Sequence, residues 1–166
     1  MNAFPSHYAA TCLSVNLNVF PAERTIAVPG MLIALDSRST TKFCFFEAGE
    51  HDSYGMFACV DPDQFCALSG GRVTIVSVSR LGTYTPLEYS SIFQILPAAD
   101  AGMLLLASYA DIYAYGKEQL WHSQGVCLDE LRLEKTDSQY VYASGFTGLG
   151  RNNFRLRLDS GEVVPD

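Results

Sequence analysis

Apolar and polar residues alternate with a period of two along much of the chain. Leu13, Val15, Leu17 and Val19 alternate with Ser14, Asn16 and Asn18, and Phe154, Leu156 and Leu158 alternate with Arg155 and Arg157. Leu131 and Leu133 sit among Glu130, Arg132 and Glu134 in the same way. Successive side chains of a strand point to opposite faces, so each run predicts a strand with one wet face and one core face. Two further runs, Lys42–Phe46 and Val73–Val78, are apolar on both faces. They are short and rich in aromatic or β-branched residues, which predicts central strands. In the second, the apolar phase shifts between Ile75 and Val76, as at a bulge or where both faces are buried.

Turn signals separate these runs. Asp61-Pro62-Asp63 divides Met56–Val60 from Gln64–Leu68, and Gly70-Gly71 divides Cys66–Ser69 from Arg72–Val76. The paired glycines permit the positive φ that a tight hairpin needs. Lys135–Ser138 and Asp159-Ser160-Gly161 mark two more turns near the C-terminus. Spacings of this kind predict an all-β antiparallel domain. The segment from Asp100 to Leu120 also has helical spacing, through Met103, Leu106, Ala107, Ala110 and Ala114. Gly102 and Gly116 oppose a helix, and Ile112, Tyr113 and Tyr115 suit strands, so two strands are the expectation there.

Four segments share one shape: an apolar alternating pentad, a polar or glycine turn, then another apolar strand. They are Leu32–Asp36, Phe65–Ser69, Ile112–Gly116 and Arg155–Asp159, each with its following residues. With Leu35, Leu68, Tyr115 and Leu158 as equivalents, the spacings are 33, 47 and 43 residues. Their mean, about 41, is the length of one four-stranded propeller blade. The pattern resembles the repeat of quinoprotein-type and related β-propellers, in which a strand ending in Leu-Asp precedes a Thr-Gly-type turn and an apolar strand ending in Trp. Leu32–Asp36, Ile112–Trp121 and Leu156–Val164 match it best, though only the third unit has the Trp and only the fourth the Asp-x-Gly turn. The resemblance implies blade-like antiparallel sheets. It implies no quinone cofactor, because that family's cofactor pocket and calcium ligands match nothing here. The expected fold is therefore a single all-β domain over residues 1–166, built of about four blade-like units. A small propeller-like fold and a β-sandwich or barrel fit equally.

Composition narrows the function classes. The chain has 166 residues, 48% hydrophobic and 17% charged, which excludes a disordered composition. Its 11 basic and 18 acidic residues give a formal charge of −7, so neither nucleic acid nor an anionic membrane is expected as a partner. No apolar run approaches the roughly 20 residues of a membrane span; the longest is Gly102–Ala107. Met1–Tyr8 has no basic n-region, so a soluble cytoplasmic protein is the expectation. Five widely spaced cysteines, Cys12, Cys44, Cys59, Cys66 and Cys127, read as reduced thiols and not as a disulfide framework.

Candidate chemistry is sparse. Cys59 and Cys66, with His51 and Asp52 upstream, lack metal-ligand spacing and read as hairpin neighbours. The histidines are His7, His51 and His122, and no G-x-S-x-G elbow accompanies them. The glycine-rich stretch 145–153 is flanked by strands where a phosphate loop needs a helix, so it reads as a hairpin loop able to carry a binding site. Arg151, Arg155 and Arg157 are expected to pair with nearby acids. No catalytic residue, metal or cofactor is assigned. The candidate binding residues are Trp121, His122, Arg151, Asn152 and Asn153. These point to a non-enzymatic binding or protein-interaction domain, a description that also covers a small bacterial accessory protein, with a protein partner or self-association. The alternative is a small hydrolase or ligand-binding β-barrel using His51, Asp52, His122 and the 145–153 loop.

Overall fold

A computed structural model describes residues 4, 9–19, 28–37, 40–80, 84–89 and 91–164. His7 lies outside the described residues, as do the side chains of residues 14–19. The described elements are fifteen strands and one short 3-10 turn, Ala99–Ala101. The strands form four antiparallel sheets. The first sheet contains β1 (Ala9–Val19), β2 (Val28–Ser37) and β3 (Thr40–Glu47). The second contains β4 (Tyr54–Ala58), β5 (Gln64–Ser69), β6 (Arg72–Ser77) and β7 (Tyr84–Leu87). The third contains β8 (Gln94–Ala98), β9 (Met103–Ala107), β10 (Ile112–Tyr115) and β11 (Gln119–Ser123). The fourth contains β12 (Asp129–Thr136), β13 (Tyr140–Phe146), β14 (Arg151–Arg157) and β15 (Val163–Val164). In every sheet the strands lie in chain order, so each is a simple meander.

The fold is thus all-β, with four units as the sequence pattern predicts. The frame of the repeat differs. Leu35 and Leu68 lie in the second strands of their sheets, whereas Tyr115 lies in a third strand and Leu158 just after one. The alternating pentad marks any half-buried strand, so it cannot tell a second strand from a third. The 100–120 region forms strands, with Gly102 at φ 64° ending the 3-10 turn before β9.

The chain divides into two compact units, one carrying β1–β7 and the other β8–β15. In the first, Met31, Ile33 and Leu35 of β2 pack with Phe65 and Ala67 of β5 and with Val76 of β6. Phe46 meets Phe65 edge-on, with ring centroids 6.0 Å apart. In the second, Leu105 and Ala107 of β9 pack with Ile112 and Ala114 of β10, Leu131 and Leu133 of β12, Val141 and Ala143 of β13, and Leu156 of β14. Each fully buried aliphatic side chain of this kind contributes roughly 1.5–3 kcal/mol. The alternation in β12 and β14 places Leu131, Leu133 and Leu156 inside, and Arg132 and Arg157 outside, as expected.

Two side-chain expectations change. Leu13, read as a core residue, is half exposed. Lys42–Phe46, read as a central strand, belongs to β3, which stands last in its sheet among the described residues and leaves Phe43 66% exposed. Only one face of β3 packs into the core, through Cys44 and Phe46. The other double-sided run does become an interior strand, β6. Its register against β5 is unbroken and Val73, Ile75 and Val76 are all buried, so burial on both faces explains the phase shift.

Backbone chemistry fixes the turns of the first unit. Gly70 and Gly71 have φ of 59° and 88° and join Ser69 to its partner Arg72. A Cβ on Gly70 would sit 2.5 Å from the Gly49 nitrogen, whereas one on Gly102 would meet nothing within 4 Å. At the next turn, the Asp63 carboxylate accepts from Ser77 Oγ (2.9 Å), Ser79 N (3.0 Å) and Ser79 Oγ (2.6 Å). The Ser79 hydroxyl contributes most to holding the Asp63 carboxyl below its ordinary pKa.

Two outcomes follow for stability. Gly70→Ala is expected to cost more than about 2 kcal/mol in urea unfolding, against about 1 kcal/mol for Gly102→Ala, because only the first adds a clash to the left-handed strain. Equal losses would contradict this. The lowered Asp63 pKa means that the unfolded chain binds the proton more readily. Its contribution is complete above about pH 4 and is lost as pH falls through the lower folded value. Asp63→Asn is therefore expected to flatten the acid limb of unfolding midpoints measured between about pH 3 and pH 6.

Candidate functional site

The five residues singled out from sequence all lie in the second unit, on two sheets. Trp121 and His122 are in β11, and Arg151, Asn152 and Asn153 open β14. Trp121 joins the two sheets. Its indole N–H donates to the Leu158 carbonyl at 2.7 Å, and a Cβ on Gly161 would come within 2.5 Å of its ring. Ser123 Oγ donates to the Gly161 carbonyl in the same contact. Trp121 thus meets the chain just past the far end of β14 from Arg151. Seven residues of strand, roughly 23 Å, separate these ends, so the five residues do not form one site.

His122 is exposed and stacks on Tyr113, with ring centroids 4.2 Å apart and planes 14° from parallel. Its Nε2 lies 3.4 Å from Asp111 Oδ2. Asp111 also accepts from the Gly125 amide at 2.7 Å and from the Tyr113 hydroxyl at 3.3 Å. A histidine beside a carboxylate has the form of a base with its orienter, and such a pair acts only on a nucleophile within reach. The neighbouring hydroxyl of Ser123 is turned to Gly161. The Cys127 thiol is directed at the carbonyls of Asp129 (3.4 Å) and Tyr109 (3.7 Å). Burial pushes its pKa up, so it is held as a protonated thiol.

His51 belongs to the first unit, where its ring lies over Gly71 and its backbone N–H donates to the Gly70 carbonyl at 3.1 Å. It braces a turn. Asp52 beside it is exposed. Among the described residues, no group of three or more His, Cys, Asp and Glu could hold a metal ion. None of the helical turns there is long and apolar enough to cross a membrane.

Arg151 supports a bulge. Glu130 has φ 54°, an uncommon left-handed value for a side-chain-bearing residue, and lies where the β12–β13 register shifts. Arg151 pairs with the Glu130 carboxylate and reaches the Glu130 carbonyl (3.3 Å) and Ser144 Oγ (3.2 Å). Arg157 pairs with Asp159 at 2.8 Å, as expected for these arginines. Arg155 instead lies over the Tyr140 ring, 4.8 Å from its centroid.

The 145–153 stretch is a hairpin. Phe146 pairs with Arg151, and the Thr147 amide donates to the Gly150 carbonyl at 3.0 Å, leaving residues 147–150 as a closed loop. Asn152 Nδ2 donates to Thr147 Oγ1 across its base, and Asn153 is exposed on β14 opposite Ser144. Leu149 stands at the loop with 98% of its surface exposed. Leu128 (69%) and Phe146 (41%) lie alongside: the Leu128 amide donates to the Phe146 carbonyl at 2.7 Å, and Leu128 Cδ1 is 3.3 Å from where a Gly148 Cβ would sit. Leu128, Phe146 and Leu149 therefore form an apolar knob on a hydrogen-bonded base. The sequence reading took this stretch as a hairpin loop able to carry a binding site and overlooked these three side chains. The available signal was a bare leucine between two glycines.

Two further cysteines behave as core. Cys59 and Cys66 are buried at the β4–β5 hairpin, where burial pushes Cys59 up to about 12 and Cys66 well above the ordinary thiol range. At pH 8 iodoacetamide is expected to label exposed Cys12 first and to reach Cys59 and Cys66 only as the protein unfolds. Equal labelling rates in the folded protein would contradict this. Trp121→Phe is expected to cost about 1–3 kcal/mol, because the Leu158 carbonyl loses its donor.

No family model matches the chain, and no curated protein matches it. Among solved structures it is similar to a chain described as "Crystal structure of the eukaryotic initiation factor", at 9% identity and a TM-score of 0.49. The alignment covers 95% of this chain and 41% of that one, so this chain spans less than half the length of the protein it resembles.

Proposed function

We propose that this protein is a non-enzymatic interaction domain of the cytoplasm that docks a partner protein through the Leu128–Phe146–Leu149 knob. The observation that carries the reading is the 98% exposure of Leu149 on a loop closed by its own hydrogen bonds. A large aliphatic side chain held out in water gains by entering an apolar pocket, and a loop already ordered loses little entropy on doing so. Leu128 and Phe146 widen the apolar contact, while Arg151 and Asn152 at the loop base supply a polar rim. A second reading, a small hydrolase, rests on the His122–Asp111 pair alone.

A photo-reactive leucine analogue at position 149 is expected to cross-link one defined partner in extracts of the source cell. With that partner in hand, Leu149→Asp is expected to weaken binding about 30-fold, as for a hot-spot residue of about 2 kcal/mol. Its unfolding free energy should stay within about 0.5 kcal/mol of the parent. Unchanged affinity would overturn the docking site. Turnover of an ester, phosphate or glycoside that disappears in His122→Ala would favour the hydrolase.

A further inference from the structure

Charge is unevenly matched on the fourth sheet. Five of the chain's 11 basic residues, Arg132, Lys135, Arg151, Arg155 and Arg157, lie on β12 and β14. Leu131 and Leu133 beside Arg132 are buried, and so is Leu156 between Arg155 and Arg157, so alternation turns the bases to the outer face. The register sets them in rows. Arg132 stands opposite Ser144, and Lys135 opposite Tyr142, which is itself opposite Arg155.

The acids bordering these rows are already engaged. Glu130 and Asp159 pair with Arg151 and Arg157. Glu134 accepts from Ser144 Oγ at 2.9 Å, and Asp129 from the Glu130 amide at 2.7 Å. Asp137 accepts from the Gln139 and Tyr140 amides at 2.8 Å and from the Tyr142 hydroxyl at 2.7 Å. Among the described residues, Arg132, Lys135 and Arg155 form no ion pair. In a chain with 18 acidic residues to 11 basic, three neighbouring bases without a carboxylate do not follow from composition.

Two of these charges are instead held over tyrosine rings. Lys135 Nζ is 4.9 Å from the Tyr142 centroid, and the Arg155 guanidinium carbon is 4.8 Å from the Tyr140 centroid. Arg155 Nε is buried without a hydrogen-bond partner. A ring face attracts a cation without neutralising it, so both charges are positioned and left available. Tyr140 and Tyr142 are alternate residues of β13, and alternate residues of a strand stand about 7 Å apart. Carboxylates at alternate positions of another extended chain have the same period. A single small anion reaches only one of the two cations.

We infer that the outer face of the fourth sheet docks an extended acidic segment of a partner protein, with carboxylates at alternate positions meeting Lys135 and Arg155, and with Arg132 beside them. Charge complementarity commits the occupant. At physiological ionic strength charges are screened over about 8 Å, so a short acidic segment feels only these cations. A nucleic acid or an anionic membrane extends farther and also meets the surface of a chain whose formal charge is −7. The inference rests on charge and not on the Leu128–Phe146–Leu149 knob, and either fails without the other.

The probe is a capped octapeptide of alternating glutamate and threonine, titrated at low salt into the labelled protein and followed by amide chemical shifts. Saturable shifts confined to β12, β13 and β14 are expected, and they should be lost in about 0.5 M salt. A peptide of the same composition with contiguous glutamates should bind at least about threefold more weakly, because only alternate side chains of a strand face the sheet. Lys135→Gln should weaken binding about fivefold, or about 1 kcal/mol. Lys117→Gln, which changes the net charge equally from the β10–β11 turn, should leave binding unchanged. Absence of saturable shifts, shifts outside these strands, or equal effects of the two variants overturns the site. Equal affinity of the contiguous peptide, or the same shifts at equal affinity with inorganic phosphate, overturns the match to an extended segment. Tighter binding of oligothymidylate or of phosphatidylserine vesicles at this face overturns the polypeptide as occupant.

Discussion

Unpaired backbone at the ends of small sheets is the constraint that this structure answers at almost every turn. A meander of three or four strands has two edges, and each edge strand carries N–H and C=O groups without a ladder partner. The second unit supplies side chains for the purpose. Gln94 donates to the Leu133 carbonyl at 2.8 Å and accepts from the Leu133 amide at 2.9 Å, so one amide side chain serves both backbone groups of a residue in the neighbouring sheet. Trp121 and Ser123 satisfy the carbonyls of Leu158 and Gly161. In the first unit, Ser69 donates to the Phe46 carbonyl at 3.0 Å, and the Gly49 amide donates to the Ser69 carbonyl at 3.1 Å. Groups that look functional in isolation, such as the lone tryptophan, belong to this joinery.

The sheets were legible because alternation and turn chemistry act locally. Leu131 and Leu133 had to face a core, and Gly70-Gly71 had to reverse the chain with positive φ. What lay beyond local pattern was lost. A pentad such as Leu32–Asp36 reports a half-buried strand and says nothing about its rank in a sheet. β3 shows the same limit: a run apolar on both faces announces its chemistry, but its neighbours are set by tertiary pairing.

The candidate site was legible only in outline. The 145–153 loop stood out through its glycines, and it does present a surface feature. Its chemistry was misjudged because side-chain exposure depends on what packs nearby, and no pattern in the sequence says that Leu149 has no neighbour to cover it while Phe154 does. His122 and Asp111 are eleven residues apart and come together only because β10 and β11 pair, with His122 opposite Tyr113. Arg151 was correctly seen as an acid-pairing arginine, yet its service to the strained Glu130 backbone required coordinates.

The bracing of edge-strand backbone by side chains of the neighbouring sheet is the central claim, and amide hydrogen exchange of the protein and of Gln94→Leu tests it most directly. Amides of β5 and β6, interior to their sheet, should be protected nearly to the global unfolding free energy. The Leu133 amide, which donates to the Gln94 side chain, should exchange slowly in the parent and at least about tenfold faster in Gln94→Leu, the loss of a hydrogen bond of about 1.4 kcal/mol. Unchanged protection of Leu133 in that variant would contradict the account.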